Sequence, residues 1–129
     1  STKGADVNEA QSFLKQDLEE YVNRSKMVGN TKIDGEIALA TGQKGKIYTR
    51  QELAKTADLL LQFKGIKTSF AIGYLEKNKV GISTRSIKKI DAGKLMEEFG
   101  GGGNKTEAAA IIENTTIKKI EEQIYQKIK

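Results

Sequence analysis

Two short segments carry the residues of this chain best suited to chemistry. The first is Gly100-Gly101-Gly102-Gly103-Asn104-Lys105. Glycine has no Cβ, so such a run turns sharply and lets a ligand approach its N–H groups. Those groups can form a concave nest for an anion, above all a phosphate. The alternative is a flexible linker between domains. Only 26 residues follow Gly103, too few to bury a core of their own, so the run sits inside one domain. The second segment is Val80-Gly81-Ile82-Ser83-Thr84-Arg85-Ser86. On a strand, Gly81, Ser83 and Arg85 share one face. Ala71 and Gly73, on the strand before it, are also small. A face of small residues either receives a helix or leaves room for a ligand. A guanidinium at a strand end is a strong bidentate phosphate donor. Its competing role is a surface ion pair with one of the 17 acidic residues.

Composition limits the chemistry further. With no cysteine and no histidine, zinc sites of the Cys/His type are excluded, and so is the commonest acid–base group at neutral pH. The Asp residues are sparse and never paired as Asp-x-Asp. The net charge of +5 favours polyanionic partners. The excess comes from lysine, since the arginines are only Arg24, Arg50 and Arg85. No apolar run approaches membrane-spanning length, so direct membrane contact is not expected.

The elements that position these segments follow from periodicity and capping. Asp6 with Glu9 reads as a capping box, followed by the stripe Val7, Ala10, Leu14, Leu18, Tyr21 and Val22. Asn30 to Gly42 reads as β structure with a turn at Asp34-Gly35. Thr49 and Glu52 form a second capping box, and Leu53, Ala57, Leu60 and Leu61 give that helix its apolar face. Gly65 fits the helix stop. Ser69–Leu75 and Lys79–Arg85 alternate as two strands joined near Asn78. Asp91 caps a short helix burying Ala92, Leu95, Met96 and Phe99. Ala108–Glu113 reads as a strand, although its alanines also fit a helical turn. Ile117, Ile120, Ile124 and Ile128 form a last helix. The order α-β-α-β-β-α-loop-β-α predicts an α/β fold: one domain with a mixed sheet and flanking helices. The helical stripes are expected in the core.

Taken together, Ser83-x-Arg85-Ser86, a short helix, then Phe99-Gly100-Gly101-Gly102-Gly103-Asn104 and Ala108-Ala109 resemble the DHH-associated domain. That domain is the C-terminal, substrate-binding half of the DHH phosphoesterases. Its usual signature is Ser-x-Arg-Ser, then Gly-Gly-Gly-His followed by small residues. Over the whole chain, Glu9-Ala10-Gln11, Leu18-Glu19-Glu20-Tyr21, Ala57-Asp58-Leu59-Leu60 and Gly65 to Ile72 are similar to the GdpP-type cyclic-di-AMP phosphodiesterases of bacteria.

The resemblance implies one DHH-associated domain over residues 1–129, with residues 1–25 a helix joining it to an upstream DHH domain of the same polypeptide. Arg85, with Ser83 and Ser86, would hold a substrate phosphate or position the loop. Gly101, Gly102 and Gly103 would bring N–H groups against the nucleotide. The family's loop histidine falls on Asn104, which cannot carry charge, and Lys105 is the candidate to supply one. No cofactor is expected in this chain. The implied metal, manganese, belongs to the DHH domain. The implied ligand is a cyclic dinucleotide or a short oligonucleotide, and the implied location is cytoplasmic, including the cytosolic part of a membrane-anchored protein. The corresponding domains of RecJ-like or nano-RNA exonucleases, and the RNA-binding adaptor fused to alanyl-tRNA synthetases, are the alternatives.

Overall fold

A computed structural model describes residues 17–129. The capping box at Asp6 and the stripe positions Val7, Ala10 and Leu14 lie outside the described residues. Helix α1 covers 17–29. There follow β1 (Thr31–Asp34), β2 (Ile37–Thr41), α2 (Arg50–Leu61), β3 (Thr68–Glu76) and β4 (Lys79–Ser86). The chain continues as α3 (Ala92–Glu97), β5 (Gly102–Gly103), β6 (Glu107–Glu113) and α4 (Ile117–Ile128). The strands form one mixed sheet in the order β1-β2-β3-β4-β6-β5. Only β2 and β3 run parallel, joined through α2, and the other pairs are antiparallel.

In the β3–β4 hairpin, large residues alternate with small ones. Phe70, Ile72, Val80 and Ile82 point to one face and pack with Leu95 and Met96 of α3 and Ile120 and Ile124 of α4. The opposite parity carries Ser69, Ala71, Gly73, Gly81 and Ser83. Over the Ala71 end of that face lies α2, burying Leu53, Ala57 and Leu60 with Ala38 and Ala40 of β2. Small sheet residues let the helix come close: Ser69 Oγ donates to Ala57 O at 2.7 Å.

Local signals place the helices. In α2, Thr49 Oγ1 accepts from Glu52 N and Thr49 N donates to Glu52 Oε1, both at 3.1 Å. Asp91 Oδ1 accepts from Lys94 N at 3.0 Å to open α3. Thr116 Oγ1 accepts from Lys119 N at 3.2 Å to open α4. Gly65 does not terminate α2. The helix closes at Gln62, and Gly65 (φ 87°) turns the chain into β3. Lys32 Nζ donates to Glu121 at 2.6 Å, tying β1 to α4, and this bond holds the Lys32 ammonium above its ordinary pKa.

One expectation fails. Leu18 and Tyr21 of α1 are each 61% exposed, whereas Met27 in its last turn is fully buried. The small-residue face is taken by α2, so α1 reaches the core only through its C-terminal end. Ile124→Ala is therefore expected to cost about 2–5 kcal/mol of stability. Leu18→Ala should change it by less than about 0.5 kcal/mol. Chemical denaturation of the two variants checks the contrast.

Candidate functional site

The glycine run ends α3 and then becomes a strand. Gly100 (φ 83°) takes the left-handed position after the helix. Gly100 N donates to Glu97 O at 3.0 Å and Gly101 N to Met96 O at 2.8 Å, the paired bonds of a Schellman motif. Those two N–H groups therefore serve the helix end, not a ligand. The next two glycines form β5, with Gly102 opposite Ala109 and Gly103 opposite Ala108. A Cβ at Gly101 would overlap Ala109 O, and one at Gly103 would overlap Glu107 O. Glycine is demanded at both positions by the approach of β6. At Gly102 a Cβ would meet nothing within 4 Å.

Register shows which way Gly102 faces. Directly paired residues of an antiparallel ladder present side chains to one face. Ser83 pairs with Ala109, and Ala109 with Gly102. The row continues through Ala71 to Ala40. The Ala40–Ala71 half lies under α2, whereas Ala109 stays exposed. A cleft of about 270 Å³ opens over this bare half. Its floor is Gly81, Ser83, Ala109 and Ile111, one rim is Gly100-Gly101, and the other is Arg50 and Leu53 of α2. The walls are mostly apolar, with one hydroxyl and one guanidinium. Arg50, exposed at the first turn of α2, forms no ion pair among the described residues. A helix N-terminus adds its own partial positive charge on that rim. An apolar wall with few convergent polar groups suits a base and a phosphate together.

Comparisons with known proteins identify the family and the fold. The family model for the DHHA1 domain matches residues 34–129. The chain belongs to the DHHA1 domain family. It is 35% identical over 127 residues to the cyclic-di-AMP phosphodiesterase GdpP of Geobacillus thermodenitrificans, covering 98% of this chain and 19% of that protein. It is equally 35% identical over 127 residues to the cyclic-di-AMP phosphodiesterase PdeA of Listeria monocytogenes, covering 97% and 19%. This DHHA1 domain thus spans about a fifth of the length of these relatives. An exopolyphosphatase-related protein of Bacteroides fragilis shares the fold with a TM-score of 0.69 at 19% identity, over 83% of this chain and 33% of that one. The pGpG-specific phosphodiesterase PggH of Vibrio shares it with a TM-score of 0.62 at 18% identity, over 84% and 38%.

Within the DHHA1 domain, the residues singled out by sequence do not all meet. Ser83 lines the cleft. Arg85 is one pair further along the same face, and its side chain is only 12% exposed. Its Nε donates to Asp58 Oδ1 at 2.6 Å and lies 3.3 Å from Glu107 Oε1, and Nη1 donates to Thr84 O at 3.0 Å. The ion-pair role describes this geometry: Arg85 pins α2 to β6. Ser86 is buried, donates to Ile90 O at 2.6 Å and meets Thr68 Oγ1 at 3.2 Å, so it fixes the β4–α3 loop. Asn104 Oδ1 accepts from Thr106 N, Thr106 Oγ1 and Glu107 N, each at 2.9 Å. It builds the β5–β6 turn. Lys105 lines a different cavity, at the β4–α3 corner. Sequence reasoning missed Arg50. The signal was there, since one of only three arginines follows a capping threonine and so opens a helix.

Asn104→Ala is expected to lose about 1–2 kcal/mol, a fall of roughly 4–10 °C in melting temperature. Asn104→Asp should keep most of it. Asn104→His, with one ring acceptor for three donors, should behave like the alanine variant. Thermal unfolding of the three ranks them.

Proposed function

We propose that this DHHA1 domain holds the nucleotide in a bacterial cyclic-dinucleotide phosphodiesterase. The observation that carries the reading is Gly102. Among the described residues nothing would meet a Cβ there, and Gly102 continues the row Ser83–Ala109 next to the cleft rim Gly100-Gly101; Arg50, which lines the cleft, has no ion pair among the described residues. A bare backbone on that face leaves space for a ligand. At about 270 Å³ the cleft is smaller than the roughly 300–1,000 Å³ of pockets that enclose a drug-sized molecule. It therefore takes one nucleoside phosphate of a dinucleotide and leaves the rest to face an accompanying domain. The two curated relatives named above, both cyclic-di-AMP phosphodiesterases, support the ligand class.

Among the described residues there is no group of three or more acidic side chains that could hold a metal ion. Hydrolysis, with manganese as the expected metal, falls to a DHH domain of the same polypeptide. This chain's own residues bind and orient: Ser83 and Arg50 take the phosphate, Leu53 and Ile111 flank the base, and Arg85 holds the two walls of the cleft together. No helix among the described residues is long and apolar enough to cross a membrane. We place the domain in the cytoplasm, as the cytosolic part of a larger protein. The matching domain of an oligonucleotide exonuclease is the second reading, favoured by the lysine-lined corner described below.

Calorimetry with cyclic-di-AMP separates these roles. Arg50→Ala should weaken binding roughly tenfold or more without lowering the melting temperature, since a charge-assisted bond contributes about 1.5–3 kcal/mol. Gly102→Val should abolish binding by filling the open face. Arg85→Ala should weaken binding and also cost about 1 kcal/mol of stability. Incubated with manganese and cyclic-di-AMP, the chain should release no linear dinucleotide or AMP above a metal-only control. Turnover, or unchanged affinity in both the Arg50 and Gly102 variants, contradicts the reading.

A further inference from the structure

At the corner where β4 enters α3, a cavity of about 440 Å³ is lined by Lys88, Lys89, Lys94 and Lys105. All four are exposed, and among the described residues none forms an ion pair. Four lysines elsewhere, Lys32, Lys79, Lys127 and Lys129, each sit against a carboxylate. The single acid of the cavity, Asp91, has Oδ1 engaged with Lys94 N at the start of α3. Lys89 holds φ at 67°, a left-handed conformation that a lysine adopts at a cost. The loop is fixed in that shape by Ser86 Oγ on Ile90 O and by Ile87 N on Lys67 O at 2.9 Å. Four exposed ammonium groups around one carboxylate leave the cavity with an excess of positive charge, which a bound polyanion would offset. Ile87, in the cavity wall, is more than half exposed and offers an apolar surface beside the lysines. Basic side chains that track a backbone are one part of a surface that binds single-stranded nucleic acid.

We propose that this lysine corner is a second phosphate-binding site, which takes the backbone of an oligonucleotide strand leaving the cleft. The inference rests on the nucleotide reading of the cleft for the class of its ligand. The path rounds the end of β6, since Ala109 lies on the cleft face and Ser86 and Thr106 at the corner have the opposite parity. From Ala109 at the cleft to Thr106 at the corner is three residues, roughly 10 Å at about 3.4 Å per residue. Between them Glu107 lies 3.3 Å from Arg85, which it shares with Asp58. A dinucleotide seated in the cleft ends short of the lysines, and a strand a few nucleotides longer reaches them.

Fluorescence anisotropy of the whole chain with labelled diadenylate and pentaadenylate tests this. Pentaadenylate should bind at least tenfold more tightly at low salt. Lys88→Ala/Lys94→Ala should remove that advantage, bringing the two ligands within about twofold, while diadenylate affinity and melting temperature stay unchanged. The slope of log affinity against log salt for pentaadenylate should become shallower by about 1.4, two lysine–phosphate contacts at roughly 0.7 each. Tripolyphosphate, a free phosphate of similar charge, should displace pentaadenylate only weakly. A length advantage that survives in the double variant overturns the proposal, and so does displacement by equimolar tripolyphosphate. If diadenylate fails to bind while pentaadenylate still binds through the lysines, the cleft reading falls and the lysine site stands.

Discussion

The structure depends on how closely β5 approaches β6. Between Gly101 and Gly103 the two backbones run so near that no Cβ fits at either end, because Ala109 O and Glu107 O already occupy the space. The seam extends to α3, where a Cβ at Gly93 would meet Gly103 O at 2.8 Å. One backbone contact thus sets the edge of the sheet, the exit of α3 and the rim of the cleft. It also divides the work of the glycine run. Gly100 and Gly101 terminate the helix, Gly101 and Gly103 admit β6, and Gly102 alone keeps its open side for something else.

A second constraint comes from the alternation of large and small residues in β3 and β4. It yields two cores of different depth. Bulky side chains meet α3 and α4 on one face, and on the other alanine, serine and glycine let α2 lie almost on the backbone. Because α2 covers only β2, β3 and part of β4, the same small-residue row emerges beyond it as a cleft floor. Arg85, clamped between Asp58 and Glu107, ties α2 to β6 on that face. In this DHHA1 domain the surface that packs α2 and the floor of the cleft are therefore one continuous strip.

Much of this was legible in the sequence because it is local. The Thr49–Glu52 capping box, the Asp91 cap, the turn at Asp34-Gly35 and the β3–β4 hairpin each follow from a few neighbouring residues, and each forms as expected. The single mixed sheet followed from their order. What was hidden depends on partners far away in the chain. The glycine run reads as a loop until β6 is known to lie beside it. Lys105 follows Asn104 directly, yet it lines the corner, because Asn104 spends its oxygen on the turn that redirects the chain. Ser86 carries the motif's hydroxyl but points to the opposite face from Ser83 and Arg85. Leu18 and Tyr21 have core periodicity without a sheet surface left to cover them.

In the proposed division of labour this domain grips one nucleotide, and a water activated by metals in an accompanying DHH domain would attack the phosphate. The central claim is the position of the grip. Amide chemical-shift mapping of the chain during titration with cyclic-di-AMP tests that claim most directly. The account predicts saturable shifts at Arg50, Ser83, Gly100 to Gly102 and Ala109, with the β1 edge and α4 unmoved. Shifts absent from Ser83, Gly102 and Ala109, or confined to surfaces away from them, would contradict it.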